Sequence, residues 1–183
     1  MEYGHLWGRE LEGMDEPAFQ GVDTERDTSV PSQEEDMSVT LREITKDNWR
    51  HCIALDPGPA SKAFIPSNLY ALAESKFSPS FVPLGIYVES VIVGFVMYNT
   101  QPEADGSYSI YTMMVDARHQ GKGYGTTALR LVFKRLRQLP HCTTVSLEYD
   151  RANERAARLY RRLGFREVAE SPTGGIIAQL HLT

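Results

Sequence analysis

Three glycines fall within five residues in the run Gln120-Gly121-Lys122-Gly123-Tyr124-Gly125. Glycine lets the backbone turn tightly and, lacking a Cβ, lets a ligand come close. Where such a turn opens a helix, several N–H groups converge at the positive end of the helix dipole, which suits a pyrophosphate. A turn that merely joins a strand to a helix is the plain alternative. Two phosphate loops are excluded: GxxxxGKS/T is absent, and Thr126 and Thr127 after Gly125 break GxGxxG. Lys122 can lend a charge to the turn or stand solvated. Downstream, Asn153 and Tyr160 lie seven residues apart, two helical turns, and so share one side of a helix. Taken alone, the Asn is an N-cap and the Tyr is packing. Glu148, taken alone, is a surface or fold-stabilising carboxylate.

The elements that must hold these residues are legible in the hydrophobic pattern. Residues Val39 to Ile44 alternate as a strand, and Lys46 to Leu55 reads as a helix stopped by Asp56-Pro57-Gly58-Pro59. A second helix runs from Ser67, a capping residue, to Phe77. Leu84–Glu89 and Val91–Tyr98 form an antiparallel pair around Glu89-Ser90, with Gly94 marking a bulge or a close backbone approach. The next strand, Ser107 to Val115, has Tyr108, Ile110, Thr112 and Met114 on one face and Tyr111, Met113 and Val115 on the other. An amphipathic helix follows Gly125, with Leu129, Val132, Phe133 and Leu136 inward. Thr143–Tyr149 is a strand, Asn153–Leu163 a helix closed by Gly164, and Phe165–Ala169 and Ile176–Leu182 are the last strands. This order predicts an α/β fold: a mixed, mostly antiparallel central sheet of about seven strands flanked by four helices.

Composition narrows the class. The 183 residues are 42% apolar and 23% charged, a globular average that excludes a wholly disordered or collagen-like chain. Two cysteines, Cys52 and Cys142, are too few for a disulfide scaffold, and no CxxC or Cys/His cluster suggests a metal site. No apolar run reaches the length of a membrane span and the N-terminus lacks a secretory pattern, so a cytoplasmic protein is expected. The net charge of −5 is uneven: residues 1–36 hold eleven acids and two arginines, net −9, and 37–183 carry net +4. The first 36 residues read as an acidic flexible tail, residues 37–183 as the folded domain, and Met37 as an alternative start.

The pattern Gln120-x-x-Gly123-x-Gly125 after Met113-Met114-Val115, followed by Asn153-x-x-Ala156-x-x-x-Tyr160-x-x-x-Gly164-Phe165, resembles the two signatures of the GNAT N-acetyltransferase superfamily. The segments Phe64-Ile65-Pro66-Ser67-Asn68-Leu69, Leu84-Gly85-Ile86-Tyr87 and Val93-Gly94-Phe95-Val96-Met97-Tyr98 are similar to bacterial spermine/spermidine (diamine) acetyltransferase-like proteins. The resemblance implies a sheet splayed open between its fourth and fifth strands and an acetyl-CoA co-substrate, with no metal. It further implies that Met113, Met114 and Val115 pair with the pantetheine arm. Gln120, Gly121, Lys122, Gly123, Tyr124, Gly125 and Thr126 would hold the pyrophosphate, and Asn153 and Ala156 would line the pantetheine path. Tyr160 would donate a proton to the leaving thiolate.

The implied acceptor is a small-molecule amine, with a homodimer as a family expectation. Some related polyamine enzymes carry an acid on the fourth strand where this chain has Tyr111; Glu148 is the substitute base, and a water chain would serve equally. An acidic groove for a polycation could draw on Glu89, Glu103, Asp105 and Glu148. Another amine acceptor (aminoglycoside, amino acid or protein N-terminus) would use the same site, and a catalytically silent acyl-CoA-binding module is the reading from a different class. The basic stretches 130–137 and 151–166 read as solvated helix faces, with no nucleic-acid partner.

Overall fold

The computed structural model describes residues 39–182; the acidic stretch 1–36 and Met37 lie outside them. The elements run β1 (Val39–Glu43), α1 (Trp49–Ile53), α2 (Pro59–Lys62), α3 (Asn68–Phe77), β2 (Phe81–Val88), β3 (Val91–Asn99), β4 (Tyr108–Val115), α4 (Tyr124–Leu136), β5 (Thr144–Tyr149), α5 (Glu154–Arg162), β6 (Arg166–Glu170) and β7 (Ile176–His181). The seven strands form one sheet in the order β1-β2-β3-β4-β5-β7-β6. Every pair is antiparallel except β4–β5. The expected mixed sheet is present.

Five helices are described, one more than expected. The addition is α2, a single turn inside the predicted breaker: Pro59 starts it, where a missing N–H costs nothing, after Gly58 at φ +81°. Helix α1 is shorter than the predicted Lys46–Leu55. Asn48 accepts from the Thr45 N–H and donates to the Glu43 carbonyl, which ties the chain into a turn before the helix begins. Strand β2 starts three residues early despite Pro83. Its neighbour β1 pairs only from Leu84 onward, so at Pro83 the strand is an edge that tolerates the lost donor.

The sheet buries both faces. Leu129, Val132 and Leu136 of α4 and Tyr160 of α5 pack with Val96, Ile110, Val145 and Leu147 on one side. On the other, Cys52 of α1 and Ala71 of α3 meet Phe95, Met97 and Met114. Burying one such Leu contributes about 1.5–3 kcal/mol. Both thiols are free.

Two irregularities shape the middle of the sheet. Ile86 faces Gly94 while Tyr87 faces Ile92, so Val93 is extra, and a Cβ on Gly94 would stand 2.5 Å from the Met114 carbonyl oxygen. The predicted bulge and close approach thus coincide. In β4, Met97 pairs with Thr112 but Tyr98 pairs with Ile110, which leaves Tyr111 as the extra residue. This corrects the strict alternation expected there. Ile110 packs on the α4 side, whereas Met114 packs on the α1/α3 side. A bulge carries two residues past one, so the side-chain parity changes across it.

Strands β4 and β5 pair only from Tyr108 to Ile110, against Val145 to Leu147. Beyond that point they part, and the 112–115 edge of β4 has no β5 partner.

Candidate active site

The parting of β4 and β5 opens a cavity of about 500 Å³. One wall is the open strand edge Met113-Met114-Val115. A second is the turn from Gln120 into the first residues of α4. The third is the side of α5 that bears Asn153, Ala156 and Tyr160. Pro57, Ser61 and Ile65 close it from the α2 region. Residues from three distant stretches of chain therefore meet.

The turn has the geometry of an anion cradle. Gly121 and Gly123 hold φ values of +81° and +82°, a left-handed conformation that other residues adopt only under strain, and the space a Cβ would fill is open. Helix α4 begins at Gly123 without a side-chain cap, whereas Ser67 caps α3 and Asn153 caps α5. The first N–H groups of α4 lack intrahelical acceptors, so the helix presents donors and positive potential to the cavity. A Cβ on Gly125 would lie 3.2 Å from the Met113 methyl, so glycine there lets α4 start close to β4.

The remaining side chains complement this cradle. His119, Arg155, Arg158 and Arg162 line the cavity, and among the described residues no carboxylate does. The pocket therefore suits a long ligand with a phosphate-rich end and an extended arm. Coenzyme A has that form, and the residues present fit it: glycines and arginines for its phosphates, the open β4 edge for its amide-bearing arm.

Gln120 braces the turn. Its amide nitrogen donates to the Pro57 and Val115 carbonyls at 3.0 and 2.7 Å, and its oxygen accepts from the Arg155 guanidinium. Asn153 accepts from the Ala156 N–H at 3.1 Å, the N-cap role, while also facing the cavity. Tyr160 lines the cavity while only 9% exposed, against the rings of Tyr149 and Phe165. Burial, with a smaller contribution from Tyr149, pushes its phenol up to about 12. It keeps its proton throughout the working range of an enzyme.

Lys122 and Glu148 are not among the lining residues. Lys122 is exposed. Glu148 projects from the opposite sheet face to Leu147, where it accepts from the hydroxyls of Ser171 at 2.6 Å and Thr173 at 2.9 Å.

Sequence reasoning passed over the cationic lining. Arg155, Arg158 and Arg162 recur at helical spacing along one side of α5, a different side from the one that carries Tyr160, and that periodicity was the available signal. It also passed over Asp116, 2% exposed, whose carboxylate accepts from the Arg118 guanidinium and the N–H groups of Arg118 and Asp56. Those bonds pin the end of β4 to the loop that closes the cavity. Nothing in the sequence connects residues 56 and 116.

A profile of the Acetyltransferase (GNAT) family matches residues 39–165. The chain belongs to this family. It is 32% identical over 134 residues to a spermine/spermidine N(1)-acetyltransferase of Bacillus subtilis (strain 168), spanning 70% of this chain and 88% of that protein. Among solved structures, an acetyltransferase from Thermus thermophilus superposes with a TM-score of 0.63 at 18% identity, covering 79% of this chain and 97% of the other. The PaiA N-acetyltransferase from Thermoplasma acidophilum, solved in complex with coenzyme A, superposes at 0.62 with 16% identity, covering 80% and 100%.

This GNAT protein is an acetyl-CoA-dependent N-acetyltransferase, with acetyl-CoA as its co-substrate. Among the described residues no cluster of His, Cys, Asp and Glu could hold a metal ion. No described helix is long and apolar enough to cross a membrane.

Proposed function

We propose that the acceptor is a polyamine or diamine such as spermidine or spermine, and that Tyr160 is the general acid. The observation that carries the substrate reading is the 32% identity to the Bacillus subtilis spermine/spermidine enzyme. The sheet face away from α4 and α5 supports it. There Ser109, Ser146, Glu148 and Gln179 project, and the surrounding loops bring Glu103 and Asp105 onto Ser109 and Gln179. A polycation would meet carboxylates on this side and the phosphate-binding cations on the other.

Reaction follows from that division. The N–H groups of Gly121 to Thr126 and the arginines hold the phosphates, and the β4 edge at Met113, Met114 and Val115 takes the pantetheine amides. A β4 N–H also polarises the thioester carbonyl. The neutral amine nitrogen attacks the carbonyl carbon, a C–N bond forms and the C–S bond breaks. Tyr160 gives its phenolic proton to the departing sulfur, and the nitrogen loses one proton to a water chain or a carboxylate. Glu148 is the candidate acceptor on β5, with its carboxylate oriented by Ser171 and Thr173.

Incubation with acetyl-CoA and a panel of spermidine, an aminoglycoside, free amino acids and a peptide N-terminus, read as free thiol release, tests the reading. Spermidine should be turned over best, and Tyr160→Phe should lower kcat about 10²- to 10⁴-fold with acetyl-CoA binding unchanged. Turnover of another class but not of spermidine contradicts the substrate. Full activity of the Phe variant contradicts the proton donor.

A further inference from the structure

The bulge that leaves Tyr111 unpaired in β4 also turns it toward α3. Its ring packs on Phe81, centroids 4.9 Å apart, and its hydroxyl donates to the carboxylate of Glu74. Tyr111 is 36% exposed, and Tyr70, one turn before Glu74 on α3, is 59% exposed. None of the ion pairs among the described residues includes Glu74. A half-buried carboxylate rimmed by aromatic side chains, with one phenol fixing it and no cation against it, presents what an organic ammonium binds.

Its position matters as much as its chemistry. Tyr111 stands where β4 and β5 part, next to the last paired residue, Ile110. Two residues along the same strand, about 7 Å, is Met113 at the cavity wall. A short methylene chain covers that interval.

We propose that Glu74, oriented by Tyr111, binds the second ammonium group of a diamine or polyamine while the first nitrogen is acetylated at the β4 edge. The inference rests on the polyamine reading above and adds the residue that separates diamines from monoamines. Tyr111 brings no charge of its own to β4, and the carboxylate beside it is delivered from α3 by Glu74. Burial and the neighbouring Glu74 both raise the Tyr111 phenol, so it remains a donor at any pH at which the enzyme acts.

Steady-state kinetics with spermidine and with butylamine test this on the wild type, Glu74→Gln and Tyr111→Phe. In Glu74→Gln the spermidine-over-butylamine preference in kcat/KM should fall roughly 10- to 100-fold, through KM for spermidine, with KM for acetyl-CoA unchanged. Tyr111→Phe, which keeps the ring, should shift the preference in the same direction by less. A merely structural role would lower both amines equally or disturb acetyl-CoA binding. Should Glu74→Gln fail to bind acetyl-CoA, Tyr111→Phe carries the test. Retention of the preference by the folded variants overturns the inference alone. A wild type that turns over no diamine or polyamine overturns the acceptor reading and this inference with it.

Discussion

Asp116 sits almost wholly out of water yet stays ionised. The Arg118 side-chain hydrogen bonds do most to hold its carboxyl at about 2, against a smaller opposing effect of burial, helped by the N–H groups of Asp56 and Arg118. A folded value below the ordinary carboxylate range of about 4 means that the group stabilises the fold above that range. That contribution is lost as pH falls through the folded value. Asp116→Asn should therefore lower Tm at pH 7, and the gap to wild type should shrink between about pH 4 and pH 2. Paired thermal melts across that window check it, and a gap independent of pH would show that the charge is irrelevant. Tyr160 is the reverse case, a buried group kept neutral. Its place in the GNAT-like run Asn153-x-x-Ala156-x-x-x-Tyr160 singled it out in the sequence, although nothing in its immediate neighbours distinguishes it from packing. Its function needs burial beside a cavity, which depends on where β4 and β5 part.

The glycines of the site differ in what they do for their elements. Gly121 and Gly123 supply left-handed φ at the turn, and their spacing made them legible. Gly94 supplies nothing to its own strand; it makes room for the backbone of β4. Gly94→Ala would set a Cβ against the Met114 carbonyl, which cannot move without shifting the open edge. It should cost about 1–3 kcal/mol, read by urea unfolding, and should raise KM for acetyl-CoA. A stable variant with unaltered KM would separate the bulge from the site. Periodicity placed every strand and the four longer helices within a few residues, since each buries a face at its own period. The Tyr111 bulge escaped it because strict alternation is the only rule a pattern offers for a strand. Likewise Glu74 reads as one more polar residue on α3 until β4 is folded against it.

Over residues 39–182 the two faces of the sheet carry opposite duties. On the α4/α5 side His119 and three arginines surround a cavity without a carboxylate; on the other, Glu74, Glu103, Asp105 and Glu148 ring the open half of the sheet. The overall charge of −5 conceals this separation: the register of β5 on β7 sets the side of Glu148, while α3 brings Glu74 and the loop after β3 brings Glu103 and Asp105. An anionic co-substrate and a cationic acceptor can thus approach from different sides and meet where the strands part. Such a meeting requires first that the turn and the α5 arginines recognise the phosphate-bearing half of coenzyme A. Titration calorimetry with coenzyme A and with pantetheine, which lacks that half, measures it directly. Coenzyme A should bind at least about 100-fold more tightly, with the margin narrowing as salt is raised. Equal affinity for the two, or a margin indifferent to salt, would contradict the account.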